Sequence, residues 1–355
     1  MASLDNVEEI KSLDKSGVWR SIEALPQQCQ QAWEETHGLN LPADYSQVSE
    51  IVVAGMGGSG LSADVISSLF KDKLKVPLLV ERSYSLPDFA DQNTLVIVSS
   101  YSGTTEETLS CLKDAQARGC KLLGITTGGT LAELMKTQSI PGYIFNPTHN
   151  PAGRPRLAIG YSVFGQIGLL AKLGLIDLPT AILPQMISTM NQFIAEYKLQ
   201  VPTPTNQAKK LASQLTGKIP VLVTAEHLTG VAHVFNNLLN ESAKNFSIHV
   251  VIPELNHHLL DGLNFPQNNS QTLVFLLFNS SLYPQSIQHR FAITEEVIQK
   301  NQLLSMAINL QSSTIYAQAA EFLVLGSYVN YYLAILNGID PAPVPWVDYL
   351  KNKLK

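Results

Sequence analysis

The sequence predicts an α/β protein with two doubly wound, flavodoxin-like domains, each a mainly parallel five-stranded sheet flanked by helices. Three observations predict it. Short runs rich in valine, isoleucine and leucine alternate with segments whose apolar residues recur at helical spacing, the pattern of a parallel sheet covered on both faces. The alternation stops at the proline-containing stretch "IDLPTAILPQ" and then begins again. A chain of 355 residues, 45% hydrophobic and 15% charged, is long enough for two domains that each bury a core. The expected division is 1–179 for a helical segment plus the first domain, and 180–355 for the second domain with its C-terminal helices.

The elements follow in order. The first 45 residues are helical in pattern, with Ser16 as a cap and Gly38 as a stop. "EIVVAG" is the first strand, and a glycine loop leads from it into the helix "LSADVISSLFKD". "VPLLVE" and "TLVIVSS" are strands, and "TTEETLSCLKDAQARG" is the helix after the second of them. "KLLGITT" and "GYIFNP" complete five strands. "LAIGYSVFGQIGLLAKLGL" is broken by Gln166 and Lys172 and suits a buried helix better than a membrane span. In the second half "IPVLVTAE", "SIHVVIPE", "TLVFLLFN" and "LLSMAINL" are strands, and "LTGVAHVFNNLLNESAKN" is a helix. The long apolar helix "YAQAAEFLVLGSYVNYYLAILNG" comes next, then "DPAPVP" and a last short helix.

Composition narrows the function. A formal net charge of -5 with no basic stripe argues against nucleic-acid binding. The N-terminal stretch is acidic and lacks the apolar core of a secretory signal, so a cytoplasmic protein without a membrane partner is expected. Cys29, Cys111 and Cys120 form no CxxC pair and no metal-like spacing. They read as reduced, buried thiols.

Two loops carry chemistry. "GMGGSG", residues 55–60, follows the first strand and matches GxGxxG, and Glu81 closes the next strand about twenty residues on. The match fits a dinucleotide, any ligand approached closely by backbone, or a tight turn. "SSYSGTTEET", residues 99–108, places six serine and threonine hydroxyls where a strand passes into a helix. Ser100, Ser102 and Thr105, with free N–H groups at the helix start and Gly103 for a tight backbone, can wrap a phosphate monoester. Thr followed by Glu would also serve as an ordinary cap, but one or two hydroxyls would be enough for that.

At these residues the chain resembles a known family. "AGMGGSGLSAD" and "VSSYSGTTEET" are similar to the SIS (sugar isomerase) domain. "GRPRLAIGYS", "NESAKN", "PELNHH" and "GIDPAPVPWVDYLKNKL" resemble the bifunctional phosphoglucose/phosphomannose isomerase family, from about Ser49 to the C-terminus. The resemblance implies two SIS domains and interconversion of glucose 6-phosphate or mannose 6-phosphate with fructose 6-phosphate through an enediolate. It implies Gly58, Ser59, Ser100, Ser102 and Thr105 as substrate-binding residues, with the hydroxyls on the phosphate. Glu241 would carry the proton between C1 and C2, since burial can tune a carboxylate for that work. His257 and Lys351 would open the sugar ring, and Arg156 would stabilise the enediolate, with Arg154 a neighbouring candidate. It also implies a homodimer, which the surplus of apolar helix independently suggests.

Taken alone, several of these residues are unremarkable: Glu241 could pair with Lys244 on a helix, and Lys351 could be a solvated tail lysine. The chain also departs from the family. It has "NHHL" where NHNE is usual, so His258 is a second candidate beside His257. "DPAPVPW" is apolar where a small hydroxyl facing the sugar is expected. The isomerisation moves only protons, so neither a metal nor a cofactor is expected, and no HxH, HExxH or cysteine cluster offers a metal site. Two other classes fit parts of the sequence. A phosphosugar sensor would keep the hydroxyl loops without Glu241, His257 and Lys351. A nicotinamide dehydrogenase would use "GMGGSG" and Glu81 but leave the second loop unexplained.

Overall fold

The computed structural model describes residues 3–354. They form two units. One is Ala24–Ser188, and the other takes the chain through Glu23 and again from Thr189 onward. The observed division therefore differs from the contiguous one expected at 179/180: the first helices belong with the C-terminal half.

Local chemistry starts these helices, and Asp5 ties them to the C-terminal half. Helix α1 (Val7–Leu13) is capped by Asn6, whose side chain accepts from the Glu9 N–H at 3.2 Å. Helix α2 (Val18–Glu23) has its first N–H groups, those of Val18 and Trp19, satisfied by the Asp14 carboxylate at 2.8 and 3.1 Å. Asp14, rather than Ser16, does the capping. Upstream, Asp5 accepts from the N–H and hydroxyl of Thr203 and lies 3.3 Å from the buried ammonium of Lys209. A lysine buried to this degree needs a partner, and an N-terminal carboxylate supplies it.

In Ala24–Ser188, helix α3 (Leu25–His37) ends at Gly38 as expected. Strand β1 (Glu50–Ala54), helix α4 (Gly58–Leu69), β2 (Leu78–Glu81), β3 (Thr94–Ser99), α5 (Glu106–Ala117), β4 (Lys121–Thr126), α6 (Gly129–Thr137) and β5 (Gly142–Ile144) follow. The sheet order is β2-β1-β3-β4-β5 and all pairings are parallel. Val52, Val96, Val98, Leu112, Leu131 and Met135 belong to a core under α5 and α6. Helix α7 (Ile159–Lys172) is buried over nearly its whole length, and α8 (Ile182–Tyr197) contains the boundary between the units.

The second unit adds α9 (Gln207–Leu215), β6 (Ile219–Thr224), α10 (Thr229–Glu241), β7 (Ile248–Val251), a short α11 (Asn269–Thr272) and β8 (Leu273–Asn279). It ends with α12 (Gln285–Lys300), β9 (Leu304–Asn309), α13 (Ile315–Leu336) and α14 (Pro345–Lys353). Its sheet is parallel in the order β7-β6-β8-β9. The five strands expected here are therefore four among the described residues, the four that the apolar runs mark. Helix α13 is long and apolar enough to cross a membrane, yet it is buried inside its own unit, packed against α9 and α10. Its apolarity is used within the chain and does not by itself call for a partner. The three cysteines are free and buried, and burial raises the Cys111 thiol to about 11.

Candidate active site

The strand order of the first sheet reverses between β1 and β3, and in open α/β sheets the loops leaving such a switch point form the ligand crevice. The glycine loop leaves β1 there, and the hydroxyl loop leaves β3 beside it. Gly60 has to be glycine, because a Cβ would lie 2.4 Å from the Gly55 carbonyl oxygen. Gly103 has φ +68°, and a Cβ there would lie 1.8 Å from the Gly128 carbonyl oxygen. The hydroxyl loop is thus pressed against the turn after β4. The N–H and hydroxyl of Thr127 both donate to the Tyr101 carbonyl, and the Leu131 N–H donates to that of Gly103.

Within the loop the hydroxyls are organised. Ser100 Oγ and Thr105 Oγ1 are 2.8 Å apart, and the Gly103 N–H donates to Ser100 Oγ at 3.1 Å. Ser102 Oγ lies 3.1 Å from Thr104 Oγ1. Thr105 stands at the N-cap of α5 but makes no side-chain cap bond. The capping box, the plain alternative for this stretch, does not form, and the Thr105 hydroxyl turns to Ser100 instead. Helix α4 also starts without a side-chain cap, at Gly57 with φ +51°. Two helices thus begin beside this crevice with N–H groups that no side-chain cap takes up. Ser59 is buried, and its carbonyl accepts from Gln166 Nε2, which also bonds Ser62 Oγ.

A third segment reaches the same place. A Cβ on Gly58 would lie 3.3 Å from the Pro155 carbonyl oxygen and 3.7 Å from the Arg156 Cα. Arg156 itself is 7% exposed. Tyr101 and Asn150, which carry no signal in the sequence, join this segment to the hydroxyl loop. Asn150 Nδ2 donates to the Tyr101 phenol at 3.1 Å and to the Arg154 carbonyl at 3.0 Å. Burial raises the Tyr101 phenol against the opposing effect of that bond. Asn150 reads as one more polar turn residue, and only the tertiary contact distinguishes it. Gly58, Ser59, Ser100, Ser102, Thr105 and Arg156 are therefore neighbours across three loops of one unit.

Glu241, His257 and Lys351 lie in the other unit. Glu241 is the last residue of α10 and is half-buried. Lys244 has φ +51°, beyond the helix end, and its ammonium donates to the Asp340 carbonyl at 3.2 Å. Asn337 Nδ2 donates to the Ala243 carbonyl, so "NESAK" and "GIDP" are tied together before α14 begins. His257 ends a 3-10 turn, Glu254–His257, and is exposed. The turn is held from below: Asn256 Nδ2 donates to Thr294 Oγ1 at 2.7 Å and its Oδ1 accepts from Arg290. His258 is exposed, 4.0 Å from the Glu254 carboxylate. Lys351 is exposed on α14, a helix with no buried residue.

Family models match both units. A SIS domain matches residues 44–135, and the bacterial phospho-glucose isomerase C-terminal SIS domain matches 204–354. A bifunctional phosphoglucose/phosphomannose isomerase of Caldicellulosiruptor bescii is 33% identical over 341 residues, 95% of this chain and 98% of the relative. The chain belongs to the bifunctional phosphoglucose/phosphomannose isomerase family. A member from Aquifex aeolicus is 27% identical over the same shares of both chains. A crystal structure of a hypothetical protein from Thermus thermophilus superposes with a TM-score of 0.74 at 18% identity, covering 98% of this chain and 93% of that one. Family membership gives no support to the dehydrogenase reading of "GMGGSG", and Glu81 is accounted for by the end of β2, where its carbonyl accepts from the Gly55 N–H.

Proposed function

We propose that this chain interconverts glucose 6-phosphate and mannose 6-phosphate with fructose 6-phosphate by proton transfer, without a metal. What supports the reading is the hydroxyl loop at the β1/β3 switch point: its Thr105 hydroxyl is turned away from capping and toward Ser100, in a family whose members carry these activities in their names. Ser100, Ser102, Thr105 and the N–H groups of α4 and α5 hold the phosphate dianion, with Gly58 and Ser59 giving it close backbone approach. His257 and Lys351 move the protons that open the ring. Glu241 takes the proton from C2 of the open-chain aldose and returns it to C1. The enediolate between these steps carries a negative charge that Arg156, a permanent cation, stabilises.

The reading includes a homodimer. Helix α14 leaves Trp346 81% exposed, with Tyr349, Leu350 and Leu354 also exposed, and a second copy would cover them. It also includes a cytoplasmic setting, which suits three buried, unpaired thiols.

The test is a coupled assay from fructose 6-phosphate that follows glucose 6-phosphate and mannose 6-phosphate separately, with Glu241→Gln alongside. Both products are expected, unaffected by EDTA, with the variant slower by about 10²–10⁴-fold. Binding of the phosphosugar without turnover in the unaltered chain would make it a sensor instead.

A further inference from the structure

The second sheet carries a crevice that this chemistry does not use. It has a volume of about 430 Å³ and is lined among others by Asn279, Ser281, Gln288, Phe291, Glu295 and Asn309. Asn279 and Asn309 are register partners at the C-terminal ends of β8 and β9, and the α12 residues form the facing wall. The order β7-β6-β8-β9 repeats the first four strands of the other sheet, so β8 stands where β3 stands. The crevice therefore opens beside the counterpart of the hydroxyl loop.

Its chemistry is different. No glycine lies between Asn279 and Gln285, and no lysine or arginine is among the described lining residues. The Ser280 hydroxyl is already used, donating to Gln318 Oε1 at 2.6 Å and accepting from the Leu282 N–H at 3.0 Å. The carboxamides are only half used. Asn279 Nδ2 donates to Asn309 Oδ1 at 3.2 Å, while the Asn279 oxygen is buried without a partner and closed to a ligand. Gln288 places its Nε2 on the Tyr283 and Ser281 carbonyls, leaving its oxygen. One oxygen of Glu295 accepts from Ser305 at 3.3 Å. What is left facing the crevice, the Gln288 oxygen and the second Glu295 oxygen, is acceptor. A phosphate would bring more acceptors and a charge toward a carboxylate with no cation to offset it.

We propose that this crevice binds a neutral polyol, an unphosphorylated sugar or sugar alcohol, whose hydroxyl hydrogens fill the Gln288 and Glu295 acceptors. The Asn309 amide nitrogen supplies a donor in return, and Phe291 offers an apolar wall to the carbon skeleton. The volume falls in the range of small-molecule sites and accommodates a hexose. The proposal stands apart from the isomerase reading, since it uses none of the residues assigned to that reaction.

The test is saturation-transfer NMR on the full chain with D-glucose and D-sorbitol as probes, and D-glucosamine and D-gluconate as charged controls. At least one neutral probe is expected to bind, and which one does distinguishes a ring from an open chain. Excess glucose 6-phosphate is expected not to displace it. Asn309→Leu and Gln288→Leu are each expected to weaken binding about 10-fold or more, with isomerase kcat and KM unchanged. Absence of binding by both neutral probes would overturn the proposal. So would displacement by glucose 6-phosphate, binding that persists in both variants, or tighter binding of either charged control.

Discussion

The two sheets share a strand order and differ in the loops that leave it. Strands β1 and β3 release a glycine turn and a cluster of hydroxyls, and the helices after the loops start without side-chain caps in both units. Strands β6 and β8 release "AEHLT" and "NSSLYPQ", with carboxamides at the strand end and Pro284 at the start of α12. The topology alone thus provides a crevice in both units. Loop composition decides whether that crevice favours an anion or repels one, because backbone N–H groups reach a phosphate only where side chains do not stand in the way.

The strongest way to break this contrast is to remove the close backbone approach. Gly103→Ala must hold φ +68° and meet the Gly128 carbonyl, so a loss of about 3 kcal/mol or more is expected. Ser281→Ala, in the counterpart loop, is expected to stay within about 0.5 kcal/mol. Urea unfolding of the two variants compares them directly. Equal losses would mean that the hydroxyl loop is no more constrained than its counterpart.

Next in size is the loss of phosphate contacts. Hydrogen bonds to a charged group are worth about 1.5–3 kcal/mol, so Ser100→Ala or Thr105→Val should each raise KM by about 10–150-fold. The coupled assay at fixed pH measures this. Substitution of Asn150 by alanine sharpens the same point one step away from the ligand. It releases the Tyr101 phenol and the Arg154 carbonyl together, two neutral bonds worth about 1 kcal/mol each. Tyr101→Phe removes one of them, and in the double variant the two effects should be less than additive. Strict additivity in a double-mutant cycle would show that the contact does not couple the loops.

The smallest expected effect is acid sensitivity, and it occurs in both units. The Arg118 guanidinium holds Asp114 below the usual carboxylate range against its burial. Burial pushes Asp5 up, but the bonds from Thr203 and Lys209 outweigh it, and Asp5 too lies low. A carboxyl depressed in the folded state contributes stability above its unfolded pKa, and that contribution is lost as pH falls through the folded value. Both contributions should fade below about pH 4. Asp114→Asn and Asp5→Asn should therefore flatten the decline in urea midpoint between pH 5 and pH 3, while lowering it at pH 7.

Much of this was legible in the chain itself. Apolar runs marked all nine strands, most plainly β1, β3, β4, β6 and β8, since a strand buried on both faces has to be apolar along its length. The hydroxyl loop was visible since its composition exceeds what a helix cap requires. Other features had no local signature. Asn150 is a polar turn residue until Tyr101 is placed beside it. Glu241 and Lys244 have helical spacing, and only the end of α10 shows that Lys244 lies beyond the helix.

The sequence by itself determined which segments are strands, which loops are rich in glycine and hydroxyls, and, through its motifs, which family the chain resembles. The first two follow from periodicity and composition within some twenty residues. Tertiary structure decided that Asp5 ties the first helices to the C-terminal half, that Thr105 bonds Ser100 rather than capping α5, and that Asn279 is left with a buried, unfilled acceptor. Each depends on groups brought together from distant parts of the chain or on the choice between competing hydrogen-bond partners. The free energy that settles it belongs to the pair, not to either residue alone.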